Sequence, residues 1–148
     1  ATRVVTTCSQ EHADSLRSLG ADQVIDYHTQ KWWDVVTGVD IIFDTVGEDL
    51  TGEHAYQILN DGGFLVTLAD GPRVLASAST AASRPTVSQK FSGLSDNSRG
   101  ALEELTDLAS HGKLKVIISK TYDLAHVVDA LVESRAGHAF GKISVKIP

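Results

Sequence analysis

Three groups of residues have types and spacings that could do chemistry. Tyr27 and Lys31 have the Y-x-x-x-K spacing of a proton-transfer pair, but such a pair needs one helix, and Tyr27 ends a predicted strand, so we interpret the spacing as coincidence. The six histidines and the single cysteine, Cys8, form no H-E-x-x-H and no i, i+4 histidine pair, which favours surface histidines and predicts no zinc site. No G-x-S-x-G turn is present to anchor a hydrolase triad.

Ser9 is the third candidate, because it follows a predicted strand over residues 3–7 and begins a predicted helix over residues 9–19. Its hydroxyl suits a helix N-cap. The carboxyl end of the second strand in a dinucleotide-binding fold is also where NAD-specific proteins hold an acid for the ribose 2′-hydroxyl. Residues 6–9, TTCS, contain no acid, and a hydroxyl tolerates a 2′-phosphate that an acid would repel. Ser9 therefore predicts NADP(H) as the cofactor, and the two roles are compatible.

The elements that would position these residues follow from an apolar pattern that alternates between strand-like and helix-like segments. Residues 39–46 and 64–69 are nearly continuous apolar runs, which predict strands buried on both faces of a parallel sheet covered by helices. Residues 76–83, ASASTAAS, predict a mobile loop with a short helix possible. The last strand, over 142–147, alternates apolar and polar residues, so one side faces water and it lies outside that sheet.

The alternation of the two kinds of segment predicts a doubly wound α/β fold. Further strands are expected at residues 23–26, 86–92 and 115–119, and helices at 50–59, 101–109 and 124–132.

The phosphate-binding turns that usually follow a first strand are absent from the sequence, which contains no G-x-G-x-x-G and no P-loop. Either the domain binds no nucleotide, or the turn lies upstream of residue 1. The chain also has no methionine, even at position 1, so we expect a piece of a longer protein.

Length and charge exclude several classes of protein. A single domain of 148 residues, 42% of them hydrophobic, can build a core without disulfides or metal. A net charge of −6 argues against a nucleic-acid partner, which needs a basic stripe. No apolar run reaches the roughly 18 residues of a membrane helix, and no signal peptide opens the chain, so we expect a cytoplasmic protein without a membrane partner.

Four segments resemble motifs of the medium-chain dehydrogenase/reductase superfamily, in the family's order across nearly the whole chain. They are residues 19–27 (LGADQVIDY), 39–47 (VDIIFDTVG), 59–66 (LNDGGFLV) and 137–143 (GHAFGKI). The last resembles the closing motif of the zinc-free, NADPH-dependent quinone oxidoreductase branch, with Phe140 in place of the family's arginine. The resemblance implies a Rossmann-like, mostly parallel sheet that lacks its first strand and glycine-rich turn, the missing strand being central.

The resemblance also implies a function. The chain would be the cofactor-binding part of an NADP(H)-dependent oxidoreductase that transfers hydride to a quinone or activated enone, with no catalytic acid or base assigned. The residues implied at the cofactor are Ser9 (2′-phosphate), Tyr27 (adenine), Thr45 (along the cofactor), Leu68 (nicotinamide ribose), and His138 and Ala139 (closing segment).

The domain organisation implied is a partial dinucleotide-binding domain over residues 1–148. Its segment 115–148 would pack on a separate GroES-like domain. The strand over 86–92 would be a sheet edge that pairs across the axis of a homodimer.

Other functions stay open from the residues alone. An enoyl-thioester reductase belongs to the same superfamily. An S-adenosylmethionine-dependent methyltransferase also has a buried D-x-x-x-D strand and a Gly-Gly turn, although an acid normally ends its second strand. A non-catalytic nucleotide-binding or structural protein could use the same scaffold. Measured binding of NADPH, of S-adenosylmethionine or of neither separates the three classes.

Overall fold

The computed structural model describes residues 2–69, 73–93, 99–137 and 139–148. The chain forms two compact units, Ala1–Ser95 and Asp96–Pro148. Strands and helices alternate along both units, and each described strand pair is parallel. The predicted α/β fold with mostly parallel strands is confirmed.

The first unit contains two parallel sheets. β1 (Val5–Cys8) pairs with β2 (Gln23–Asp26). The second sheet has the order β3-β4-β5, formed by β3 (Val39–Asp44), β4 (Leu59–Thr67) and β5 (Ser88–Phe91). The helices of this unit are α1 (Ala13–Ser18), α2 (Trp32–Val35), α3 (Thr51–Ile58) and α4 (Ala78–Ser83).

The second unit pairs β6 (Ile118–Asp123) with β7 (Lys142–Lys146) in parallel, and its helices are α5 (Arg99–Ser110) and α6 (Val127–Ala136). Glu133 of α6 accepts hydrogen bonds from the Tyr122 hydroxyl and from Lys120 Nζ (3.2 Å) on β6, which fastens the helix to the strand. Among the described strands, β7 lies outside the larger sheet, as the alternating pattern predicts.

Several predicted segments differ from the structure in their bounds, among them the helix over 9–19, which is α1 at Ala13–Ser18. Two further differences depend on contacts with distant residues. The strand expected at 115–119 begins only at Ile118 and runs to Asp123, because pairing with β7 sets its position and admits exposed polar residues that apolar continuity does not reveal. Residues 78–83 form α4, the short helix that the prediction of a mobile loop left possible. The Ser77 hydroxyl accepts a hydrogen bond from Thr80 N (3.3 Å), and Glu53 accepts one from Ser77 N (2.7 Å), which together fix the start of this helix.

The register of β3 with β4 defines two faces of their sheet. We call the face that carries Ile42, Asp44, Leu65 and Thr67 the inner face, and the face that carries Ile41, Phe43, Phe64 and Val66 the outer face. On the inner face, Leu65 and Thr67 are completely buried, and Leu65 belongs to the same core cluster as Ala55 and Tyr56 of α3.

The outer face is open at β3, where Ile41 is 69% exposed and Phe43 is 63% exposed. The prediction that both faces of this strand are buried is therefore wrong for the part of the chain that the structure describes. An apolar run indicates which side chains favour burial, but it does not say whether the chain supplies a layer to cover each face.

The sheet also has an open edge at β3, beside which lies a gap. Among the described strands, β1 pairs only with β2, and β3 pairs only with β4. A cavity of ≈ 610 Å³ is lined by residues of both β1 and β3, and we call it the central slot. This arrangement agrees with the prediction that the first, central strand of the fold is missing from residues 1–148.

Candidate functional site

The central slot collects residues from the carboxyl ends of three strands. Thr7 near the end of β1, Tyr27 just after β2 and Thr45 just after β3 all line it. Ligands of open parallel sheets bind in the crevice outside the carboxyl ends of the strands. The fold thus brings two of the residues implied at the cofactor, Tyr27 and Thr45, to one cavity.

The walls of the central slot are mostly apolar, with hydroxyl groups and two acids. Among the residues that the structure describes, the charged lining residues are Asp44 and Glu48, with no lysine or arginine. Glu48 lies 3.5 Å from Lys31 Nζ, and Asp44 accepts two backbone hydrogen bonds. The apolar walls fit the rings of a dinucleotide, and the hydroxyl and carboxylate groups fit its ribose hydroxyls. The described lining does not provide the backbone N–H cradle or the cations that a pyrophosphate requires.

Ser9 differs from its prediction in one respect and reveals a residue that the sequence reading missed. A 3₁₀ turn over Gln10–His12 precedes α1, and the Ser9 side chain makes no capping hydrogen bond. Its Oγ instead donates to Glu11 Oε1 at 3.3 Å, and the Glu11 side chain is 75% exposed. The reading of residues 6–9 found no acid because it stopped two residues short of Glu11.

Leu68, of the same unit, is not among the described lining residues of the slot. Leu68 follows β4, and its backbone N–H donates to the Asp44 carbonyl at 2.9 Å. Ala139 is half-buried in the second unit. His138 lies outside the described residues.

The other two candidates are Cys8 and the Tyr27–Lys31 pair, and the structure gives neither of them a catalytic arrangement. Burial, assisted by the Asp26 carboxylate, raises the pKa of the Cys8 thiol, so this thiol is a poor nucleophile near neutral pH. Tyr27 and Lys31 both line a second cavity of ≈ 390 Å³. They do not share a helix, since Lys31 precedes α2 and Tyr27 follows β2.

Zinc does not fit the residues that the structure describes. Within the described ranges, no three of the histidine, cysteine, aspartate and glutamate side chains come together as ligands. The Cys8 sulfur instead lies 3.0 Å from the Ser9 carbonyl.

Comparison with known proteins identifies relatives across the whole chain. The family model described as zinc-binding dehydrogenase matches residues 19–145. The chloroplastic quinone-oxidoreductase QR1 of Triphysaria versicolor is 32% identical over 98% of the chain and 45% of its own length. The chloroplastic NADPH-dependent alkenal/one oxidoreductase of Arabidopsis thaliana is 28% identical over 98% of the chain and 34% of its own length.

Solved structures agree with these relatives. The quinone oxidoreductase of Coxiella burnetii superposes with a TM-score of 0.77 at 27% identity, over 99% of this chain and 45% of that one. The chain thus spans less than half the length of the relatives that it matches. The named relatives are oxidoreductases, so the methyltransferase and non-catalytic alternatives have no support from these comparisons.

The expected cytoplasmic location is wrong by the same comparisons. The two plant relatives are named chloroplastic, a zebrafish relative is named mitochondrial, and none of these names points to the cytoplasm. Composition could not have revealed this, because organelle addresses are read from targeting segments and leave no mark on the charge or hydropathy of a folded domain. No helix in the described ranges is long and apolar enough to span a membrane.

Proposed function

We infer that this chain, which belongs to the zinc-binding dehydrogenase family of the medium-chain dehydrogenase/reductase superfamily, is the cofactor-binding part of an NADP(H)-dependent oxidoreductase. The observation that carries the proposal is the central slot, where Tyr27 and Thr45 meet at the carboxyl ends of parallel strands. The electron acceptor proposed is a quinone or an activated enone, which is what the names of two relatives describe.

The chemistry of the reaction would come from the nicotinamide, which supplies or accepts hydride when bound. The chain's own residues would position it. Ser9 would face the 2′-phosphate, Tyr27 the adenine, and Thr45 and Leu68 the rest of the cofactor, with His138 and Ala139 contributing from the closing segment. The apolar walls of the slot would exclude water from the transfer.

Because the phosphate site in this chain is incomplete, we propose that the chain is one part of a larger protein. Segment 115–148 would pack on a GroES-like domain that supplies the other wall of the substrate cleft. β5 is one of the two edge strands of its sheet among the described strands, and it would pair with β5 of a second copy in a homodimer. Light scattering across the micromolar range tests the dimer, and a strictly monomeric species would contradict it.

Titration of the purified 148-residue chain with NADPH and with NADH, followed by amide chemical shifts, tests the cofactor. We expect NADPH to bind better than NADH, and more weakly than a low-micromolar dissociation constant, about −8 kcal/mol. The reason is that the slot lining supplies no cation to the pyrophosphate. Equal or better binding of NADH would contradict the proposed preference.

Two variants test the basis of the preference. Ser9→Asp adds a second carboxylate at the end of β1 and should narrow or reverse the preference for NADPH. Glu11→Gln removes the carboxylate that lies 3.3 Å from Ser9 Oγ and should widen it. Asp14→Asn is the matched control, because it removes an exposed acid that pairs with Arg17 on α1.

A further inference from the structure

We propose that Asp44 and Thr67 act together as a clamp that positions the two turns carrying Thr45 and Leu68 against the nicotinamide half of the cofactor. This proposal rests on the proposed function. It adds two positioning residues, both on the inner face, that the sequence reading did not consider.

Asp44 ends β3 and uses both carboxylate oxygens. Its Oδ1 accepts hydrogen bonds from the backbone N–H groups of Val46 and Gly47, both at 3.0 Å. Its Oδ2 accepts the hydroxyl proton of Thr67 at 2.8 Å. A carboxylate that accepts several N–H and O–H bonds is held in a single orientation, so the turn that contains Thr45 is fixed on both sides.

Thr67 ends β4 and does the same for the neighbouring turn. Its side chain is completely buried, and its Oγ1 accepts a hydrogen bond from Ala69 N at 3.1 Å. A hydroxyl has one proton, and the contact with Asp44 at 2.8 Å is shorter than the alternative with the Ala69 carbonyl at 3.4 Å. Leu68 therefore lies in the chain between the buried Thr67 and Ala69, whose backbone N–H is held by the Thr67 hydroxyl.

The two turns also touch directly. Gly47 has φ +76°, and a Cβ at this position would lie 2.3 Å from Ala69 Cβ. The backbone N–H of Leu68 donates to the Asp44 carbonyl at 2.9 Å. Any shift of one turn is therefore transmitted to the other, which makes Thr45 and Leu68 a pair with a set separation.

The clamp changes the electrostatics of the slot as well as its shape. Asp44 is one of the two acids in the slot lining, and a free carboxylate there would repel a phosphorylated ligand. Three hydrogen bonds to its two oxygens offset part of that charge.

The test compares NADPH with 2′,5′-ADP, which contains only the adenosine half of the cofactor. The measured quantity is the affinity advantage of NADPH over 2′,5′-ADP, from amide chemical-shift titrations of the 148-residue chain. General destabilisation weakens both ligands alike, whereas loss of the clamp removes only the contribution of the nicotinamide half. We expect Thr67→Val to reduce the advantage by about tenfold, the scale of one lost charge-assisted hydrogen bond.

Matched variants make the result specific. Thr67→Ser keeps the hydroxyl and should restore the advantage. Val87→Ala truncates another residue of the buried core, leaves the clamp intact and should not change the ratio. If Thr67→Val fails to fold, Asp44→Asn serves instead, since it replaces one carboxylate oxygen by a donor without changing the shape of the side chain.

The outcomes separate the clamp from the proposed function. A Thr67→Val chain that keeps the full advantage of NADPH overturns the clamp and leaves the function standing. A wild-type chain to which NADPH binds no better than 2′,5′-ADP also overturns the clamp alone. A wild-type chain that binds neither nucleotide overturns both.

Discussion

The inner and outer faces of β3 and β4 come from the same two strands, yet they differ in what covers them. On the inner face Leu65 and Thr67 are fully buried, and Leu65 packs in one cluster with Ala55 and Tyr56 of α3. The outer face carries four apolar residues against two on the inner face, yet it leaves Ile41 and Phe43 largely exposed. Burial in this sheet is therefore decided by the presence of a covering layer and only secondarily by residue type.

The largest expected difference is between single truncations on the two faces. Leu65→Ala leaves a cavity in a close-packed core and should lower the free energy of unfolding by about 2–5 kcal/mol. Phe43→Ala removes a side chain that is 63% exposed, and should cost about 1 kcal/mol or less. Urea unfolding of both variants measures the comparison. Equal losses would mean that the outer face is covered in solution.

A substitution at Gly52 tests how tightly α3, the helix on the inner face, is packed. A Cβ on Gly52 of α3 would lie 2.0 Å from Ala76 N, a backbone atom, so Gly52→Ala should destabilise the chain by about 1–3 kcal/mol through overpacking. The control is Gly93→Ala, whose Cβ would meet only the Phe91 ring at an ordinary 3.6 Å. Thermal unfolding that shifts equally for both variants would refute the tight packing of α3.

The outer face should tolerate polar residues. The double variant Ile41→Thr and Phe43→Thr places a β-branched side chain, which suits a strand, at both exposed positions. It should change the free energy of unfolding by no more than about 0.5 kcal/mol. It should also bind less of an apolar fluorescent dye, because it removes exposed apolar surface. The contrasting double variant is Leu65→Thr and Val66→Thr, which includes one buried position, Leu65. Undiminished dye binding would place the apolar surface elsewhere.

The smallest expected effect is the dependence of stability on pH that comes from Asp61. Hydrogen bonds from Arg84 and Thr86 lower the pKa of Asp61. Arg84 also donates to the carbonyl of Leu59 at 2.8 Å, which ties α4 to the start of β4. Because the folded pKa lies below the unfolded one, this stabilisation is present above about pH 4 and is lost as the pH falls through the folded pKa. The urea midpoint of Asp61→Asn should fall less between pH 5 and pH 3 than that of the wild type, and parallel curves would contradict this.

The sequence allowed the elements to be predicted where local chemistry and tertiary context agree. The strand at 23–26 is confirmed to the residue as Gln23–Asp26, since Gly20 and Asp22 mark its start and a turn after Asp26 marks its end. α4 was harder, because its start depends on Glu53 from a distant helix. The displaced strand β6 depends on β7, more than 20 residues further along the chain.

The candidate site could be predicted only in part. Positions such as Thr45 follow from the rule that ligands meet strand carboxyl ends. The Glu11 carboxylate beside Ser9 arises from a 3₁₀ turn that the helix pattern did not indicate. The Asp44–Thr67 hydrogen bond joins residues 23 apart, and only the register of two strands brings them opposite each other.

The central slot also has a consequence for hydration and heat capacity. At ≈ 610 Å³ it is large enough to hold many water molecules. Many of these waters would lie against apolar walls such as Ile25 and Val36. Whatever fills the slot releases them, so its binding should be marked in calorimetry by a negative change in heat capacity. That thermal signature belongs to the slot itself and is independent of the enthalpy of any particular occupant.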